Sequence, residues 1–139
     1  MSAATGFSIV ASRLLCETPF LKLLELDLET PDGVVDKRSV VQIGGAVAVV
    51  PIDGDDVVLI RQYRTPLDRA LLELPAGKLD VPGETPEAAA RRELAEEAGF
   101  RAGRMEQVAQ FATSPGYLDE QMTVFMATEL TPVPTNPIG

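Results

Sequence analysis

Glu84, separated by seven residues from the run Arg92-Glu93-Leu94-Ala95-Glu96-Glu97-Ala98-Gly99-Phe100, decides how this 139-residue chain is read. On a helix, positions 93 and 97 lie one turn apart with 96 beside them, so three carboxylates project from one face. Like charges at that spacing cost a helix roughly 0.2–0.5 kcal/mol per pair. A bare stack of acids is therefore a poor structural choice, and becomes a good one when hard divalent cations sit between the carboxylates. Magnesium prefers oxygen ligands in an octahedral arrangement. A salt-bridged, solvated surface helix is the bland alternative, and the joint presence of Glu84, Arg92 and Gly99 argues against it.

The spacing predicts a helix with well-marked ends. Thr85 is a suitable N-cap, Pro86 fits the first helical position, and Gly99 suits the residue just past the end. Between them, Ala88 to Leu94 are mostly strong helix formers. Ala90, Leu94 and Ala98 form an apolar arc next to the acidic face, so the helix is expected to lie on a sheet with its acids turned toward a cleft. Arg92 stands four residues before Glu96 and one before Glu93, placed to brace the carboxylates.

Outward from the helix, the chain is rich in strand patterns. Residues 7–16 and 20–30 are apolar or alternating runs, and Pro31-Asp32-Gly33 is a turn signal before a strand over 34–42. Gly44-Gly45 opens an apolar strand over 46–51 of the kind buried on both faces. Asp53 to Asp56 turns the chain into a strand over 57–63, and a short strand near 70–74 precedes a loop over 75–84. Strands near 105–112 and 121–128 flank a loop over 113–119. The proline-containing tail from Thr131 reads as extended or loose. The fold class is thus α/β of the α+β kind, with one convincing helix.

Composition narrows the chemistry. With 45% apolar and 24% charged residues, the chain reads as a single soluble globular domain. No apolar run approaches the roughly 20 residues a membrane span requires. Met1 to Val10 has no basic region and Arg13 interrupts its apolar stretch, so no signal peptide is expected. Cys16, the single cysteine, cannot form an intrachain disulfide, which fits a cytoplasmic location. It sits in an apolar stretch and is expected to be buried or half-buried. The absence of histidine removes Ser-His-Asp and Cys-His catalysis and the usual zinc sites. A net charge of −9 argues against nucleic-acid binding. What remains is carboxylate and hard-metal chemistry, with Arg61 or Arg64 supplying local positive charge for an anionic substrate.

Glu84 together with the 92–100 run resembles the signature of the Nudix hydrolases, which cleave a nucleoside diphosphate linked to another moiety. The family pattern is Gly, five residues, Glu, seven residues, then Arg-Glu-aliphatic-any-Glu-Glu-any-Gly-aliphatic. Everything from Glu84 onward matches, with Phe100 at the final apolar position. Gly77 is followed by six residues before Glu84 instead of five. The resemblance extends to the ADP-ribose pyrophosphatase branch through Leu72 to Lys78, through Val58 to Arg64, through Gly44 to Val50, and through Ser114-Pro115-Gly116-Tyr117 with Glu120. It covers most of residues 40–129.

That resemblance implies a Nudix-type mixed sheet carrying the signature loop and helix over 43–139, preceded by antiparallel strands over 1–42 that serve dimerisation. Homodimerisation is the implied assembly. Branch members usually continue with another strand and a C-terminal helix, so the sequence is expected to be a truncation. The implied reaction is hydrolysis of the diphosphate of a nucleoside diphosphate sugar, ADP-ribose giving AMP and ribose 5-phosphate. Alternatives are another nucleotide sugar, a damaged nucleotide, or a non-catalytic nucleotide-sugar sensor. Glu93, Glu96 and Glu97, with the carbonyl of Ala76, are the implied ligands for magnesium, manganese being a second candidate. Glu84 is either an outer ligand or the partner that orients Arg92. Arg64, Arg61, Glu73, Pro115 and Gly116 are the candidate substrate contacts. Glu120 would meet a substrate hydroxyl or help activate water.

Overall fold

The computed structural model describes residues 5–135, which form two compact units. One runs to Gly44 and also includes Ala112–Glu120; the other comprises Gly45–Phe111 and the chain from Gln121 onward.

In the first unit, β1 (Ser8–Glu17), β2 (Lys22–Glu29) and β3 (Val35–Gln42) make an antiparallel sheet in the order β1-β2-β3. The turn after β2 closes through the Thr30 carbonyl, which accepts from Gly33 N–H at 2.9 Å, with Gly33 at φ +81°. Period-2 alternation sorts this sheet's side chains. Arg13 of β1 bonds to Glu25 and Asp27 of β2, and Lys37 of β3 to Glu25. Ile9, Leu14 and Leu15 of β1 are exposed apolar residues. Cys16 is exposed as well, not half-buried as expected. The apolar run around it lies on a strand whose surface the described residues of its own unit leave uncovered.

In the second unit, β4 (Gly45–Asp53) is the central strand. It pairs in parallel with β10 (Gln121–Pro132), from Gln121↔Gly45 to Ala127↔Pro51. Its other edge pairs antiparallel with β8 (Ala76–Lys78) and β5 (Asp56–Val57), and β9 (Phe100–Ala112) flanks β10. β6 (Ile60–Arg64) and β7 (Arg69–Glu73) form a separate antiparallel hairpin. Helix α1 (Pro86–Glu93) continues into a wider π-type turn, Leu94–Ala98. The chain is therefore α+β with a mixed sheet.

The core lies between α1 and the sheet. Val47 and Val49 of β4, Ala89, Ala90 and Leu94 of the helix, Ala102 of β9, and Phe125 and Ala127 of β10 close on one another. Ala46 and Ala48 are buried too, so β4 is covered on both faces as its continuous apolar run requires. Burying Leu94 is worth roughly 1.5–3 kcal/mol. Truncating it to alanine would cost about 2–5 kcal/mol, because both the packed sheet and the helix resist collapse into the void.

Several boundaries differ from the sequence reading. The stretch expected as one strand over 57–63 is two, β5 and β6, which pair with different partners. Part of the expected 75–84 loop is strand β8, held by three register pairs with β4 that no local pattern announces. β9 begins at Phe100 and β10 extends to Pro132, both beyond their expected limits. No helix among the described residues is long and apolar enough to cross a membrane.

Candidate active site

The helix presents its acids because its start is anchored. Thr85 Oγ1 accepts from Ala88 N–H at 3.1 Å and Pro86 occupies the first turn, as the capping pattern predicted. At the other end Gly99 is left-handed at φ +73°, and its N–H returns to the Ala95 carbonyl at 3.2 Å. The π-type widening over Leu94–Ala98 falls on Glu96 and Glu97, and such bulges concentrate at functional positions.

Arg92 is the hub of the acidic face. Its Nε and Nη2 donate to Glu84 Oε2 and Oε1 at 2.9 and 3.0 Å, a bidentate pair. Its Nη1 donates to Glu93 Oε1 at 2.8 Å and to Glu96 Oε2 at 3.2 Å. Glu84 is held below the ordinary glutamate value by that guanidinium. Glu93 is pushed up, first by burial and then by the charges of Glu97 and Glu96, with Arg92 opposing. Glu97 is also pushed up by burial, opposed by the Ala76 N–H that donates to its Oε2 at 3.0 Å. Two acids on one helix face thus carry an uncompensated cost of ionisation, as expected for groups built to meet a cation.

Strand β8 closes against this face at backbone distance. A methyl group on Gly77 would overlap the carboxyl carbon and Oε1 of Glu93 and come within 2.8 Å of its Cγ. Only glycine fits there, which supplies the steric reason for the glycine that opens the signature pattern. The segment between Gly77 and Glu84 ends in a turn. Glu84 N–H bonds back to the Val81 carbonyl at 3.2 Å, and Pro82-Gly83 occupy its central positions with Gly83 at φ +77°.

Arg64, at the end of β6, forms a two-point ion pair with Glu73 of β7. Nε reaches Oε2 at 2.7 Å and Nη2 reaches Oε1 at 2.5 Å. Both residues are close enough to Glu97 to influence its ionisation, so the hairpin brings a cation and a further acid to the helix face. Arg61 is exposed and, three residues from Arg64, points to the opposite side of the strand. Pro115, Gly116 and Glu120 belong to the other unit, where Glu120 Oε1 accepts from Thr113 Oγ1 at 2.9 Å.

The donor set suits a hard divalent cation: Glu93, Glu96 and Glu97 offer carboxylate oxygens, and β8 brings backbone alongside them. Among the described residues, no three acidic side chains converge around one point in this structure. Arg92 takes one oxygen each of Glu93 and Glu96, and the Ala76 N–H takes one of Glu97.

Comparison with known proteins gives the family: the NUDIX domain pattern matches residues 43–137. The chain belongs to the NUDIX family. It is 46% identical over 105 residues to an ADP-ribose pyrophosphatase of Bacillus subtilis (strain 168), covering 75% of this chain and 56% of that protein. It is 44% identical over 111 residues to a methanol dehydrogenase activator of Bacillus methanolicus, covering 79% and 60% respectively. This Nudix chain therefore spans less than two thirds of the length of either relative. In three dimensions it matches the crystal structure of an ADP compounds hydrolase with a TM-score of 0.84 and 28% sequence identity, covering 96% of this chain and 72% of that one.

Proposed function

We propose that this Nudix protein hydrolyses the diphosphate bond of a nucleoside diphosphate sugar, with ADP-ribose as substrate and magnesium as the cation. Water adds to one phosphorus and the bridging P–O bond breaks, giving AMP and ribose 5-phosphate. The observation that carries the reading is the helix face itself. Glu93 and Glu97 are both pushed toward protonation by burial and shared charge, while Arg92 braces Glu93 and Glu96 from beside.

Glu93, Glu96 and Glu97, with the Ala76 carbonyl, would hold the cation. A bound divalent cation would supply charge neutralisation for the diphosphate and acidify the attacking water. Glu84 commits both oxygens to Arg92, which favours the orienting role over that of an outer ligand. Arg64 is suited to grip the diphosphate, already oriented by Glu73, with Arg61 as a weaker contact. Pro115 and Gly116 would shape the loop on the substrate, and Glu120 would meet a ribose hydroxyl or help activate water.

Side-by-side turnover of ADP-ribose, ADP-glucose, GDP-mannose and 8-oxo-dGDP with magnesium tests the substrate. The two relatives carry different names, so the panel is run on purified protein with products identified. ADP-ribose is expected to lead, and comparable rates for all four would remove it. Binding of ADP-ribose without cleavage would make the protein a sensor.

We further propose a homodimer assembled through the N-terminal sheet, supported by exposed Ile9, Val10, Leu14, Leu15, Val34 and Val35. A monomeric mass by light scattering would refute it. The cytoplasm is the proposed compartment, consistent with the single cysteine.

A further inference from the structure

Asp119 is exposed, lies outside the signature and resembles an ordinary loop acid. Its hydrogen bonds are not ordinary. Its Oδ1 accepts from two successive backbone N–H groups, Ile43 at 2.8 Å and Gly44 at 3.2 Å, some 75 residues earlier in the chain. Gly44 has φ +83°, a conformation that lets neighbouring N–H groups turn toward a common point. Consecutive N–H groups arranged this way form an anion-binding concavity, and here a side chain of the same unit fills it.

The backbone around Asp119 uses the same strand end. Asp119 N–H donates to the Val41 carbonyl at 3.1 Å, and Val41 N–H donates to the Tyr117 carbonyl at 2.7 Å. Leu118 sits opposite Val41 in a parallel bridge. The rest of the loop is held only locally. Leu118 N–H returns to Ser114 at 3.0 Å, and Thr113 closes the base on Glu120 through its N–H at 3.3 Å and its hydroxyl at 2.9 Å. Asp119 thus makes a charge-assisted link between this loop and the chain just past β3, and such links are about twice as strong as neutral ones.

We infer that Asp119 is a positioning residue: seated on the Ile43 and Gly44 N–H groups, its carboxylate sets the conformation of the 113–120 loop, which carries Pro115, Gly116 and Glu120. This rests on the proposed nucleotide-sugar reading, which assigns that loop to the substrate. The carboxylate makes no chemical step of its own. It removes freedom that the loop would otherwise lose on binding. Glu120 keeps its separate bond to Thr113, so the effect belongs to substrate affinity more than to the chemical step.

The test uses Asp119→Ala, Asp119→Asn and Gly44→Ala in the full chain. Each is measured for KM and kcat on ADP-ribose, for ADP-ribose affinity by calorimetry, and for chymotrypsin cleavage after the exposed Tyr117. Asp119→Ala is expected to raise KM about tenfold with kcat within about threefold, and to speed cleavage. Asp119→Asn keeps a neutral oxygen acceptor and is expected to recover KM to within about threefold of the parent. Gly44→Ala attacks the same link from the other side. Nothing lies within 4 Å of its added methyl, so its effect comes from the turn alone and should follow Asp119→Ala. Should Asp119→Ala not fold, the other two variants carry the comparison. Faster cleavage with unchanged KM and affinity would overturn the inference, as would unchanged cleavage. A parent protein that binds ADP-ribose but hydrolyses no nucleotide sugar would sink the proposed reaction and leave the calorimetric comparison in force.

Discussion

Replacing Gly77 with alanine tests the close approach on which the candidate site is built. The added methyl would overlap the Glu93 carboxyl group, whereas ordinary contact begins at 3.4 Å. Relief requires a shift of about 1 Å or more in Glu93 or in β8. Neither has room. Glu93 is 9% exposed and tied to Arg92 at 2.8 Å, and Gly77 is locked opposite Val47 in the sheet register. Overpacking of this kind costs about 1–3 kcal/mol. In a domain of this size, about 2 kcal/mol lowers Tm by roughly 6–10 °C. Activity should suffer more than stability, because a 1 Å displacement of a catalytic group costs about 10²-fold in rate. Circular-dichroism melting and the initial rate of AMP release from ADP-ribose measure the two effects. Gly116→Ala is the stability control, since a methyl there meets nothing within 4 Å and its Tm should hold. A Gly77→Ala protein that melts with the parent and keeps kcat/KM within about threefold would refute the packing argument.

Further outcomes follow from the same geometry. Glu97→Gln keeps an oxygen for the Ala76 N–H but removes a hard anionic donor, so turnover should fall by about 10³-fold with the fold intact; near-normal rates would exclude Glu97 as a ligand. Arg92→Ala leaves Glu84 and Glu93 without their cation and should cost about 1–3 kcal/mol in urea unfolding, discounted for the pair's partial exposure; an unchanged midpoint would exclude bracing. In pH dependence, Glu93 and Glu97 are raised in the folded state, so their contribution is complete below the ordinary glutamate value of 4.5 and is lost as pH rises through their folded values. Glu73 and Glu84 are lowered and act oppositely, losing their contribution as pH falls through their folded values. Metal-free Glu97→Gln should therefore gain Tm relative to the parent above that pH, and a parallel pair of Tm–pH curves would refute it. Saturating magnesium, at about 100 times its Kd, should stabilise the parent by about 2.7 kcal/mol, with the gain abolished by a chelator and absent in Glu97→Gln.

Much of the site was legible locally, because a helix converts fixed spacing into a shared face. The cap at Thr85, the stop at Gly99, and Arg92 within reach of Glu93 and Glu96 follow from capping chemistry, helical spacing and short side-chain reach, whereas the π-type widening over Leu94–Ala98 does not show in the spacing. Glu84 was harder. Spacing alone does not say which partner it meets, and the structure shows both of its oxygens on Arg92. The Arg64–Glu73 pair was not legible as a pair, since strand alternation says which side a residue takes and not which partner it meets across a hairpin. Cys16 misled because an apolar run signals burial only when something covers it.

The linear order of residues determined the acidic helix, its two ends, the buried central strand at 46–51 and the family resemblance, since each depends on periodicity or spacing within a few turns of chain. Only the tertiary structure decided that β8 exists, that Gly77 admits no side chain, that Ala76 N–H meets Glu97, and that Asp119 seats on the Ile43–Gly44 backbone. These arise where segments distant along the chain meet, and such meetings are set by sheet register and packing, which local propensity does not encode.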